Sequence, residues 1–369
     1  IKGRRRSDCR LSLCFFGTWR GHVFSVNLLP IGCANQGDKQ MAYIRGKDGE
    51  VYQPSEMVKA VWPDISGNTV NGLDVEEKSN PVPVFWRTDG SIAHGEVLQY
   101  FYTVDQYDPR IIDARKYREA NKLIPISEVA AEKIKDTPAN LSAAVKEAAL
   151  DCDADDVGIA AWRPEWTYSD RDQPLGPWTI VLAFDQDFEE MDKAPDLDSY
   201  VEVVRQYARA GATALRLSNW IKEQGYNAEA KTGPMSEDVI MIPAAIEAGI
   251  GELGKHGSMI HPKMGSNFRL SMVTTDMPLT PDAPNIFGGD DFCASCQVCK
   301  NACPPDAIHN EKQMVRGNLK WFVDFDKCIP YFIDNQTCGI CLAVCPWSRP
   351  GVADNLLAKM ARRREKQIA

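Results

Sequence analysis

Apolar positions recur with helical spacing from Asn140 to Leu150, where Leu141, Ala144, Val145 and Ala148 share a face. Val157 to Trp162 and Trp178 to Phe184 are short, nearly continuous apolar runs, as expected of buried strands. A longer helical period covers Tyr200 to Gln224 and is closed near Gly225. Ile242 to Ala248 predicts a short helix after the turn-like Lys231-Thr232-Gly233-Pro234. From Gly251 to Pro278 glycines punctuate the chain, which predicts two strands around Lys263-Met264-Gly265. Residues 40 to 120 show few strong periods; segments such as Val51-Tyr52 and Val82 to Trp86 read as short strands between loops. Ala353 to Lys366 reads as a helical tail.

Helices alternating with strands indicate an α/β or α+β domain over 122–285. That leaves an N-terminal region (1–121), a cysteine-rich module (286–350) and a C-terminal basic tail (351–369). At 369 residues the chain is long enough for such a division, and its 44% hydrophobic and 25% charged content is ordinary for a globular protein. The net charge of −9 argues against a large nucleic-acid-binding surface, which would be basic. No apolar run is long enough for a transmembrane helix.

Of the 12 cysteines, eight form two motifs. The first is Cys293-x2-Cys296-x2-Cys299-x3-Cys303-Pro304; the second is Cys328-x9-Cys338-x2-Cys341-x3-Cys345-Pro346. Thiolates three residues apart on a tight loop can hold three corners of a cubane, and the cysteine before proline serves the other cluster. This assigns Cys293, Cys296, Cys299 and Cys345 to one 4Fe–4S cluster. Cys303, Cys328, Cys338 and Cys341 then hold a second, the x9 gap making Cys328 the unusual ligand. Zinc knuckles and disulfides are the competing uses of such cysteines. Eight thiolates reserved for iron imply assembly in a reducing compartment. Cys9, Cys14, Cys33 and Cys152 lack cluster spacing and read as bland thiols.

The first 33 residues begin without Met. They read as a disordered or non-native leader. Arg4-Arg5-Arg6 before Leu11 to Phe16 would also suit a twin-arginine export signal, but Arg20 and His22 interrupt the apolar part. A cytoplasmic protein is the expectation, an exported and membrane-associated one the alternative. The basic tail reads as a solvated helix end, or as a dock for an acidic electron carrier.

Residues 246–303 resemble the stretch leading into the clusters of corrinoid-dependent reductive dehalogenases. The similarity is specific in Gly249-x-Gly251-Glu252-Leu253-Gly254, in Gly265-x3-Arg269 and in Thr275-Asp276-x-Pro278-Leu279. It runs from about residue 125 to about 350, and the epoxyqueuosine reductases share the layout. The resemblance implies an α+β fold: a nitroreductase-like α/β corrinoid-binding core followed by a bacterial two-cluster ferredoxin-like module. It implies base-off cobalamin or a related corrinoid, an organohalide substrate such as a halogenated phenol, and an external electron donor such as a ferredoxin or flavodoxin reductase system. No Asp-x-His-x2-Gly motif is present, consistent with cobalt left without a protein histidine.

By the same resemblance Tyr207 is the proton donor and Arg269 the cation that stabilises the phenolate left behind. A bland alternative packs Tyr207 on its helix and pairs Arg269 with Asp276 or a corrinoid carboxamide. Ser236 or Lys231 falls near the family's third polar position. Gly249, Gly251, Gly254, Gly257 and Gly265 would let backbone approach the corrinoid, although tight turns also explain them. Trp162, Trp166 and Trp321 would line an aromatic pocket or simply fill core. His22, His94, His256, His261 and His309 are scattered and read as structural or surface groups. The competing functions are an epoxyqueuosine reductase acting on tRNA and a non-catalytic iron–sulfur electron carrier. The first lacks a carboxylate at Ala212, where that family carries its catalytic acid.

Overall fold

A computed structural model describes residues 52–84, 90–97, 108–121, 123–232, 238–335 and 337–368. The leader at 1–33 and Ser236 therefore lie outside the described residues, as do Val51 and residues 85 and 86.

The chain from residue 41 onward forms one compact unit. Its first long helix is α1 (Pro109–Asn121), followed by α2 (Pro138–Asp151), the antiparallel strands β1 (Asp156–Ala161) and β2 (Trp178–Asp185), and the 27-residue α3 (Leu197–Glu223). Then come β3 (Ala228–Lys231), α4 (Met241–Glu247) and β4 (Phe268–Thr275). The four strands make one antiparallel sheet in the order β1-β2-β4-β3. Mixed helix and sheet is therefore the observed class.

Strand alternation sends side chains to both faces, and both are covered. Ile180, Leu182 and Phe184 of β2 meet Leu141 and Val145 of α2 and Ala210, Ala214 and Leu217 of α3. Val181 and Ala183 face the other way, toward Ala244 and Ala245 of α4, Trp166 and Met272. Ala210 and Ala214, both buried, let α3 lie close on the sheet. Gly225 closes α3 with φ of 86°; a Cβ there would stand 2.4 Å from the Glu132 carbonyl oxygen.

The expected helices and strands of the core start and end within a few residues of the observed ones. Two elements differ from expectation. β3 has no counterpart among the expected elements, because Ala-Glu-Ala-Lys has little strand propensity; only pairing with β4 extends it. The N-terminal region is helical where described. Glu56–Val61 and Gly67–Val70 are short helices, Tyr52 and 82–84 are not in strands, and α1 packs Ile111 and Ala114 on Tyr200, Val201 and Val204 of α3. The two strands expected around Lys263-Met264-Gly265 are Met259–Ile260 and β4, and one more short strand, Glu252–Leu253, pairs with Met259–Ile260.

The cysteine-rich segment folds as α5 (Gly289–Ser295), α6 (Val298–Ala302), a small hairpin (313–320), α7 (Phe325–Asp334) and α8 (Ile340–Ala343). α9 (Ala353–Ile368) returns Met360, Leu356 and Leu357 to Phe287 and Trp347. Carboxylates of α7 anchor the N-terminal helices. Asp334 accepts from the Ser55 N–H at 2.8 Å and from the Tyr52 hydroxyl at 2.5 Å, and Asp326 accepts from the Gly67 N–H at 2.8 Å. Among the described residues no helix is long and apolar enough to cross a membrane.

Candidate functional site

α5 and α6 present Cys293, Cys296 and Cys299 from one side, and the turn after α8 presents Cys345. These four are near enough to feel one another's charge: Cys293 senses Cys345, Cys299 and Cys296, and Cys345 senses Cys296. The second set is Cys328 on α7, Cys338 before α8, Cys341 on α8 and Cys303 after α6. Cys328 senses Cys338 and Cys303, and Cys341 senses all three as well as Cys299 of the first set. Cys328 thus sits with the others despite its x9 spacing, because α7 occupies the gap.

All eight are free thiols. Burial pushes Cys293 and Cys299 up to about 12 and Cys338 to about 11. Such thiols stay neutral at pH 7 unless a cation takes the proton's place, so a metal group would release protons on binding. Two features oppose the rise. The Lys255 N–H donates to Cys293 Sγ at 3.4 Å, and the Lys255 charge favours the Cys299 thiolate. Among the described residues no three His, Cys, Asp or Glu side chains converge tightly enough to hold a single metal ion.

Tyr207 lies mid-way along α3, and Arg269 near the start of β4 with Phe184 opposite it on β2. Arg269 shares its sheet face with Val273, the face covered by α3, and its guanidinium carbon lies 5.0 Å from the Tyr207 ring centroid. Its Nε is buried without a hydrogen-bond partner. Asp276 is occupied elsewhere, accepting from the Asn227 N–H at 2.7 Å and side chain at 2.9 Å.

The same end of the sheet carries two residues that sequence reasoning missed. Gln186 and Asn267, adjacent through Gln186 N–H donating to the Asn267 carbonyl at 3.0 Å, are 4% and 2% exposed. Neither side-chain amide has a partner for its oxygen or its nitrogen. Both line a cavity of ≈ 540 Å³ shared with Glu202 and Gln206 of α3, Lys263 and Ser348. Glu202 is itself engaged, accepting from Gln206 Nε2 at 2.8 Å and from the Asp187 N–H at 3.1 Å. Four unpaired amide atoms in a buried wall signal a polar ligand, since native interiors rarely leave such groups unsatisfied. No local motif announces them; they are polar residues at a strand end.

The remaining candidates separate from this face. Lys231 pairs with Met272 in register, which puts its side chain on the opposite face of the sheet from Arg269. There it is fully buried and ion-paired with Asp238 and, at 2.7 Å, with Glu229. It is not brought to Tyr207. The space beside the five glycines is filled by protein. A Cβ at Gly249, Gly251 or Gly265 would lie 2.7, 2.2 or 2.4 Å from backbone of Ala283, Ile260 or Ser348; at Gly254 and Gly257 it would meet His256 and Val323. Close chain packing accounts for these glycines, and Gly257 borders a cavity. That cavity, ≈ 1010 Å³, also touches Trp166, Trp321, Lys320 and Cys303. Trp162 instead stacks edge-on against Trp166 at 5.4 Å. Burial lowers Lys320 to about 8, aided by neighbouring Arg316.

A tetrachloroethene reductive dehalogenase of Desulfitobacterium hafniense is 30% identical over 218 residues, covering 55% of this chain and 38% of that protein. The chain is a relative of the reductive dehalogenases. A solved structure described as a reductive dehalogenase that "suggests a mechanism for B12-dependent dehalogenation" is 25% identical, with a TM-score of 0.57, covering 70% of this chain and 40% of that one. An epoxyqueuosine reductase of Leadbetterella byssophila is 35% identical over 121 residues, 28% of this chain and 35% of that protein. No family model matches the chain. The match to the reductive dehalogenase spans well under two thirds of that relative's own length.

Proposed function

We propose that the chain is the cluster-bearing, corrinoid-binding part of a reductive dehalogenase that replaces a carbon–halogen bond by carbon–hydrogen. The observation that carries this is the Arg269 guanidinium on the Tyr207 ring, with the unpaired Gln186 and Asn267 amides at the same end of the sheet. In this reading the sheet and its helices are a nitroreductase-like core, and 286–350 is a ferredoxin-like module.

Cys293, Cys296, Cys299 and Cys345 would hold one 4Fe–4S cluster; Cys303, Cys328, Cys338 and Cys341 would hold the other. Clusters held by these two thiol sets would supply single-electron transfer from an external donor. A corrinoid rim carries carboxamides, which both donate and accept hydrogen bonds, so the Gln186 and Asn267 amides fit it in kind. When bound, the corrinoid supplies electrons of low enough potential to cleave the carbon–halogen bond. The protein's own part is protonation and charge control. Tyr207 gives its hydroxyl proton to the carbon that loses halide, and Arg269, always charged, steadies the phenolate that results. The net reaction takes up two electrons and one proton per halide released. Solvent then restores the Tyr207 proton.

Lys231 has no part in this chemistry, because its ammonium is committed to Asp238 and Glu229. An organohalide, first a halogenated phenol, is the substrate class; a phenolate oxygen would complement the Arg269 charge. Tyr207→Phe removes the proton and leaves the ring under Arg269. It should lower halide release roughly a hundredfold to ten-thousandfold while cobalamin binding and iron content stay unchanged. Undiminished halide release in this variant would remove Tyr207 from the mechanism.

A further inference from the structure

Lys255 is 1% exposed, yet its Nζ has no hydrogen-bond partner. Its Nζ lies 5.0 Å from the Trp321 ring centroid and is close enough for its charge to act on Cys299. Trp321 packs in one apolar cluster with Cys293 and Cys345, and the Lys255 backbone N–H reaches Cys293 Sγ at 3.4 Å. A second cation, Lys312, lies 5.6 Å from the same ring, but it is ion-paired with Asp290 at 2.6 Å and partly exposed. Asp290 also accepts from Trp321 Nε1 at 2.6 Å, so the acid in this corner is spent on Lys312 and the indole. Lys255 is left as a buried, uncompensated charge.

A lone buried ammonium is costly unless an opposite charge lies nearby. An iron–sulfur cluster on four thiolates is such a charge, and each electron it accepts makes it more negative by one. We propose that the Lys255 ammonium is the counter-charge of the cluster held by Cys293, Cys296, Cys299 and Cys345, and that it raises that cluster's reduction potential selectively. This rests on the cluster reading given above. The oxidised cluster takes one electron from the donor, and the attraction to Lys255 is greater in the reduced form. No proton needs to move. Lys255 acts through the field it exerts on the cluster and touches neither substrate nor corrinoid in this scheme.

Lys255→Met keeps an unbranched apolar stem against Trp321 and keeps the backbone donor to Cys293, but removes the charge; Lys255→Gln does the same with a polar end. Dithionite titration of anaerobically reconstituted protein, followed by electron paramagnetic resonance, reads both clusters without any substrate. In both variants one of the two one-electron waves should move down, with the reduced-to-oxidised ratio at a fixed potential falling about tenfold, or about 59 mV. The other wave should stay in place. Lys255→Arg should restore most of the shift, and Lys312→Gln should produce little. Both waves unmoved in a charge-free variant that holds full iron would overturn the proposal, as would a Lys312→Gln shift as large as that of Lys255→Met. Unsubstituted protein that holds no iron and shows neither wave would instead sink the cluster reading.

Discussion

His256 shows how burial turns a residue with no catalytic task into a source of pH sensitivity. Its Nδ1 accepts from the Ser258 N–H at 3.2 Å and its Nε2 lies 2.8 Å from Ser266 Oγ, so the network assigns a neutral ring with the proton on Nε2. Desolvation lowers it to about 4. The folded chain therefore resists protonation that the unfolded chain accepts from pH 6.5 downward. Stability is unaffected above that pH and falls as pH drops toward 4, by about 3 kcal/mol in total. Urea unfolding of the protein and of His256→Gln, compared at pH 7 and pH 4.5, should show a difference between them that shrinks or reverses on acidification. A difference independent of pH would mean His256 is protonated in the fold. Arg269 makes a second case at this scale. Arg269→Gln keeps a planar polar group but loses the charge over Tyr207, and halide release should fall roughly a hundredfold to a thousandfold with cobalamin affinity unchanged. Equal losses in rate and cobalamin affinity would make Arg269 a cofactor-holding residue instead.

The turn between the Met259–Ile260 strand and β4 fixes how the sheet meets the cysteine module. Gly265 has φ of 64° and sits where a Cβ would be 2.4 Å from Ser348 Cα, and the next residue, Ser266, takes its N–H to Ser348 Oγ at 2.9 Å. Cys345 is three residues before that serine. Gly265→Ala should therefore cost about 1–3 kcal/mol through backbone strain and forced displacement. It should also lower iron content at the Cys345 set more than at the Cys303 set. Iron analysis with the melting temperature checks both, and a fully iron-loaded, equally stable variant would refute the packing account. Elements with strong periods were legible in advance: α2, α3, β1 and β2 repeat apolar residues at spacings a local reading detects. α1 was not, since Ile111 and Ala114 alone are buried among polar neighbours. β3 was not, since its Ala-Glu-Ala-Lys sequence becomes a strand only by pairing with β4.

At the scale of the molecule, the cysteine spacing was readable because cluster loops are local, and the Cys328 placement follows once α7 fills the x9 gap. The polar wall of Gln186 and Asn267 was unreadable because its meaning, four unpaired amide atoms, exists only when β2, β4 and α3 are assembled. The fold also divides its stability. The sheet core rests on aliphatic packing, whereas the 286–350 segment packs around thiols that hold iron in the proposed reading. Chelating iron under anaerobic conditions should expose 286–350 to protease while α2 to β4 stays protected. Equal cleavage of both regions would contradict that division.

Halide release from the anaerobically reconstituted protein is the decisive measurement. Reduced viologen would serve as donor, with a panel of brominated and chlorinated phenols and chloroethenes, with and without cobalamin. The account predicts cobalamin-dependent halide release matched by the hydrogen-substituted product. No halide from any member of the panel, from protein that holds both clusters and cobalamin, would contradict it.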